Sequence, residues 1–135
     1  MRVILEVPGE APSLRFCRHV LRALLEELAF DTARAFDIEL VLCEAVANVI
    51  RHAHAGAGQS CQVSVEVAAD RLVLRVIDQG CGFTPRPRAA PAGDQIAGRG
   101  LWLIERLADR SQVRTAPGKG CQLEAEFALP ESPAS

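Results

Sequence analysis

Apolar and polar residues alternate at every step along Cys61-Gln-Val-Ser-Val-Glu-Val67, the period of a strand with one face buried and the other in water. Leu72, Leu74 and Val76 resume the alternation after Ala69-Asp70, a connection short enough for a hairpin, and this second strand runs into Asp78-Gln-Gly-Cys-Gly82. Near the N-terminus Val3, Leu5 and Val7 alternate more loosely with Arg2, Ile4 and Glu6, then stop at Pro8-Gly9, which predicts a strand over residues 2–7 and a turn. Two more strands are expected around Val113-Arg-Thr115 and Cys121 to Phe127, joined at Pro117-Gly118-Lys119-Gly120.

The remaining apolar residues follow the helical period. Leu14, Cys17, Leu21, Leu24, Leu25 and Leu28 predict a helix capped by Ser13 and running to Ala29. Asp31 or Thr32 is expected to cap a second helix, reaching about Ala53, whose inward stripe is Ile38, Leu42, Ala45, Val46, Val49 and Ala53. Gly98-Arg99-Gly100 opens a third, with Leu101, Ile104, Leu107 and Ala108 facing inward. Phe83 to Ala97 carries Pro85, Pro87, Pro91 and Gly93 and reads as a long loop, of the length that forms lids or binding segments. Strand, helix, helix, strand, strand, helix, strand, strand, with connections too short for crossovers, predicts an α+β two-layer sandwich: a mainly antiparallel sheet with the helices on one face. Residues 1–129 are expected to form one domain and 130–135 a disordered tail.

Composition narrows the classes. The 135 residues are 49% hydrophobic and 24% charged, the profile of one compact domain. A formal net charge of -2 gives no bulk attraction for nucleic acid or an anionic membrane, so any bound polyanion must be held locally. No run is apolar for the roughly 18 residues a membrane span needs, and the start Met1-Arg2-Val3-Ile4-Leu5-Glu6 is charged too early for a signal peptide, so a cytoplasmic protein is expected. The five cysteines lack Cys-x-x-Cys spacing, and four sit at apolar-pattern positions, which favours buried thiols over disulfides or zinc.

Three short segments carry candidate chemistry. On the second helix, Glu44, Asn48 and Arg51 fall within about 60° of one another, rotated away from the apolar stripe. Alone, this polar stripe reads more readily as a solvated face than as a site. Asp78-Gln-Gly80-Cys-Gly82 ends a strand, so a carboxylate there can accept a hydrogen bond from an amino group on a flat ring lying over the glycines. Gly98-Arg99-Gly100 begins a helix, where backbone N–H groups and about half a positive charge of helix dipole favour an anion. Each glycine pair alone reads equally as a turn. Neither is a dinucleotide-binding fingerprint, because Pro85 and Leu103 stand where the third glycine would fall.

Their order is more specific than their spelling. Glu-x-x-x-Asn on a helix, Asp-x-Gly-x-Gly after a strand, a Pro-rich loop, Gly-x-Gly before a helix and Gly-Lys-Gly before a last strand together resemble the GHKL, or Bergerat-fold, ATPase superfamily that includes gyrase and the histidine kinases. Glu44 to His52 resembles its N box, Asp78 to Gly82 its G1 box and Gly98 to Leu101 its G2 box. Within it, the chain is most similar to the anti-sigma-factor serine/threonine-protein kinases of bacterial partner switching, through Glu44-Ala45-x-x-Asn48-x-x-x-His52-Ala53 and Gly98-Arg99-Gly100-Leu101 in a domain of this size.

The resemblance implies ATP or ADP as ligand and Mg²⁺ as cofactor. Asn48 would hold the ion through its amide oxygen, and Glu44 would be the general base for an attacking serine or threonine hydroxyl. Asp78 would read the adenine amino group, with Gly80 and Gly82 lying against the purine. Gly98, Arg99, Gly100 and Leu101 would contact phosphate, and residues 83–97 would be the lid, where Arg86 and Arg88 read as solvated. His52 reads as structural. One residue departs from the family pattern: Cys121 stands where a threonine usually supports the adenine-reading Asp. The implied partners are a STAS-domain anti-sigma-factor antagonist as phosphorylation substrate, a sigma factor or other sequestered regulator, and a second copy in a homodimer through the first strand and first helix. The competing expectation is a nucleotide-gated binding module that moves no phosphate. A histidine-kinase fragment fits less well, since the stretch before Glu44 is too short for a two-helix phosphoacceptor domain.

Overall fold

The computed structural model describes residues 1–52, 60–78, 96–115 and 120–131, without the side chains of His52, Ile96 to Arg99 and Thr115. Outside the described residues lie Ala53, Gly80, Cys81, Gly82, the lid residues 83–95 with Arg86 and Arg88, the turn Pro117 to Lys119, and 132–135 of the expected tail.

Among the described residues the elements are β1 (Arg2–Pro8), α1 (Ala11–Glu27), α2 (Thr32–His52), β2 (Ser60–Ala68), β3 (Arg71–Asp78), α3 (Ile96–Leu107), β4 (Arg110–Thr115) and β5 (Cys121–Ala128). The strands form a wholly antiparallel sheet in the order β1-β2-β3-β5-β4. The expected α+β sandwich and its element order are what the chain adopts.

Alternation decides which face the helices cover. Val63 and Val65 on β2, Leu72, Leu74 and Val76 on β3, and Leu123, Ala125 and Phe127 on β5 point one way and are buried. Against them pack Ile38, Val41, Leu42, Ala45, Val46 and Val49 of α2, Leu21 and Leu25 of α1, and Ile104 of α3. The opposite face is laced with charge: Arg75 lies between Glu124 at 2.8 Å and Glu66 at 3.1 Å, and Arg71 meets Glu126 at 3.0 Å.

The helix ends correct two expectations and settle a third. Ser13 does not cap α1; it is buried inside the first turn, with Pro12 beside it where its missing N–H costs nothing. Asp31 does cap α2, its Oδ1 accepting from the Arg34 N–H at 2.7 Å. Ile96 and Ala97, expected in the lid, already belong to α3. Across the helical hairpin, Glu39 of α2 binds both Arg18 and Arg22 of α1, and their guanidinium groups, Arg22 first, hold its carboxyl below the usual carboxylate range.

Candidate functional site

The polar stripe of α2 lies in the seam between α2 and α3. Asn48 is 4% exposed, while Glu44 and Arg51, each about one turn away on the same face, are half-buried. Gly100 of α3 packs onto this face. A Cβ placed on it would lie 3.1 Å from Oε2 of Glu44 and 3.6 Å from Nη2 of Arg51. Glycine here allows backbone to approach a carboxylate and a guanidinium that any side chain would push aside.

α3 starts at Ile96, two residues before Gly98. The N–H groups without an intrahelical partner therefore belong to its first turn, at Ile96, Ala97 and Gly98, whereas Gly100 and Leu101 lie where the helical ladder uses their N–H groups. That shifts the expected anion contacts towards the front of the Gly98 to Leu101 segment. Leu101 packs partly against the core, which anchors the turn. The Arg99 side chain lies outside the described residues.

Asp78 ends β3 and is 3% exposed, an unusual burial for a carboxylate at a strand end. In the sheet register it stands opposite Cys61 of β2 on one side and Cys121 of β5 on the other. Both cysteines face the helices and are buried, Cys61 at 1% and Cys121 at 6% exposure. Burial, reinforced by Cys17, Asp78 and Cys121, pushes the Cys61 thiol up to about 12. It therefore stays protonated, a weak S–H donor rather than a nucleophile.

These groups gather at one end of the sandwich. The C-terminal turns of α2, the start of β2, the end of β3, the first turns of α3 and the start of β5 all lie there. Residues 7–125 match the family described as the histidine kinase-like ATPase domain. The chain belongs to that family.

As a histidine kinase-like ATPase domain it carries a nucleotide-binding fold, and its relatives narrow the branch. It is 28% identical to the anti-sigma F factor of Pasteuria penetrans, over 88% of this chain and 85% of that one. It is 27% identical to the serine-protein kinase RsbW of Listeria monocytogenes serotype 4a, over 80% and 76%. In fold it is similar to a solved Mycobacterium tuberculosis chain containing RsbU and RsbW domains, with a TM-score of 0.74 at 20% identity; it covers 96% of itself and 32%, about a third, of that longer chain. A second similar fold occurs in the SiaB-SiaC complex of Pseudomonas aeruginosa, with a TM-score of 0.73 at 16% identity over 93% and 88%.

Of the residues expected to act in this histidine kinase-like domain, the structure brings together Glu44, Asn48 and Gly100, and places Asp78 beside Cys121. Gly80 and Gly82 lie outside the described residues. The family resemblance assigns no role to two neighbours. Arg51 shares the Glu44 face and lies against Gly100. Cys61 reads from the sequence only as a buried thiol; the two-residue turn at Ala69-Asp70 is the signal that fixes it opposite Asp78.

Proposed function

We propose that this protein is an ATP- and Mg²⁺-dependent serine/threonine protein kinase of a bacterial partner-switching module, which phosphorylates a small STAS-type antagonist and sequesters a sigma factor or equivalent regulator. The observation that carries this reading is the approach of Gly100 in α3 to the Glu44 carboxylate, because it puts a candidate base beside the helix start that suits a nucleotide's phosphates. The names of the relatives, anti-sigma F factor and serine-protein kinase RsbW, support it.

The reaction is phosphoryl transfer. The substrate hydroxyl oxygen forms a bond to the γ-phosphorus, the bond to the β,γ-bridging oxygen breaks, ADP leaves, and Glu44 takes the hydroxyl proton. Asn48 offers a hard amide oxygen from a buried position. A site of this kind suits Mg²⁺, which keeps few protein ligands and fills its shell with phosphate and water. Bound there, the ion would neutralise phosphate charge. Asp78 accepts from the adenine amino group, so base and γ-phosphate are fixed from different elements, β3 and α2.

Phosphoprotein formation from the antagonist with Mg-ATP tests this reading. Wild type transfers phosphate, and Glu44→Ala loses transfer by about 10²-fold or more while ADP still binds. Partner binding that depends on nucleotide, survives Glu44→Ala and yields no phosphoprotein would establish the gated binding module instead.

A further inference from the structure

We propose that Cys61 is a positioning residue of the nucleotide site: with Cys121 it brackets the Asp78 carboxylate from both neighbouring strands and orients it as the acceptor that selects adenine over guanine. This rests on the nucleotide-binding reading above and adds a residue and a specificity to it.

Register supplies the geometry. Directly opposed residues on neighbouring antiparallel strands have Cβ atoms about 4.5–5.5 Å apart, and one rung of the sheet reads Val7, Cys61, Asp78, Cys121, Thr115. Asp78 thus has a thiol on each side, both on the helix-facing side of the sheet and both buried. The two cysteines are two strands apart, roughly 10 Å, beyond the reach of a disulfide. They remain separate thiols.

Chemistry then gives them a task. An ionised carboxylate only accepts hydrogen bonds, and a neutral thiol can donate one weakly. The Cys61 thiol keeps its proton throughout the physiological range, because burial disfavours the thiolate and the neighbouring Cys17 and Asp78 add to that. Thiols that keep their protons add no second negative charge beside the carboxylate and turn weak donors, not acceptors, towards it. At the matching position adenine presents an amino donor and guanine a carbonyl acceptor, so a carboxylate oxygen held in place as acceptor suits adenine and repels guanine. Thiols hold it more softly than a hydroxyl would, so replacement by serine should keep or strengthen the effect.

Cys17 provides the control. It is equally buried and lies close enough to Cys61 to influence its thiol, yet it sits on α1, off the Asp78 rung. Alanine at either position removes a buried sulfur and lowers stability; only the rung position should change base reading.

The experiment measures ADP and GDP affinities by calorimetry, with thermal melts alongside, for wild type and for Cys61→Ala, Cys61→Ser, Cys17→Ala and Asp78→Asn. Cys61→Ala is expected to weaken ADP about fivefold and to narrow the ADP-to-GDP ratio by a similar factor. Cys61→Ser restores both, and Cys17→Ala lowers the melting temperature with the ratio unchanged. Wild-type affinity and ratio in Cys61→Ala overturn the proposal, as does a Cys61→Ser that behaves like Cys61→Ala. If Asp78→Asn also binds ADP like wild type, the adenine reading falls with it. If Asp78→Asn abolishes binding while Cys61→Ala is silent, only the role of Cys61 is lost.

Discussion

Replacing the hydrogen of Gly100 by a methyl group would put a carbon 3.1 Å from Oε2 of Glu44, inside the roughly 3.5 Å at which such atoms rest comfortably. Alanine within a helix is worth up to about 1 kcal/mol over glycine, and the atom in the way is the tip of a flexible side chain. The fold can therefore absorb the change while the carboxylate moves. Gly100→Ala is expected to melt at or above the wild-type temperature and to bind ADP normally. It should lose phosphotransfer by about tenfold or more, since a displacement on the order of 1 Å can cost about 10²-fold. Full transfer by Gly100→Ala, measured in single turnover against a matched melt, would show that Glu44 does not depend on this approach. Residues of this kind divide in how readable they are. Glu44, Asn48 and Asp78 announce themselves by type and spacing. That Gly100 meets Glu44 depends on how α3 crosses α2, which no local pattern encodes.

Elements show the same division for another reason. Strand periods, helix stripes and the Asp31 cap are local, and the chain follows them closely. Gly98-Arg99-Gly100 reads as the opening of a helix, whereas α3 starts two residues earlier, with contact to α2 making glycine acceptable at Gly100 inside it. What holds α3 at its other end was not legible at all. Arg34 reaches from α2 to donate to the Leu107 carbonyl at 2.7 Å, pairs with Asp109 at 3.0 Å, and lies over the Phe127 ring with its guanidinium carbon 5.0 Å from the centroid. One side chain thus ties α2, the C-terminus of α3 and β5 together, with the positive charge where the α3 dipole is negative. Arg34→Ala is expected to lower stability by about 2 kcal/mol, from a charged hydrogen bond and a ring contact. Arg34→Lys should recover only part of this, because an ammonium cannot span both acceptors and the ring. Urea unfolding is the measurement, and a midpoint unchanged in Arg34→Ala would deny the clamp.

At the scale of the whole molecule the site and the core are one mechanical unit. The buried strand faces end in the Cys61, Asp78, Cys121 rung, and the same helix α2 that packs on them carries Asn48 and Arg51 on its adjoining face. On the proposed reading a nucleotide, held by Asp78 at its base and by α2 and α3 at its phosphates, would span both layers, and its binding would appear as global stability. Mass action sets the size: ligand at about 100 times its dissociation constant adds roughly 2.7 kcal/mol, or roughly 8 °C in melting temperature for a domain of this length. Wild type with Mg-ADP should show that shift. Glu44→Ala should keep it, because the base acts on the protein hydroxyl and not on the ligand, and Asp78→Asn should lose most of it. Trp102, the single tryptophan, lies two residues beyond Gly100 with the Arg106 guanidinium 5.1 Å from its ring centroid, so the same titration can be followed by its fluorescence. A shift that Asp78→Asn retains and Glu44→Ala abolishes would reverse the roles of the two carboxylates, placing the ligand's main anchor on α2 instead of β3.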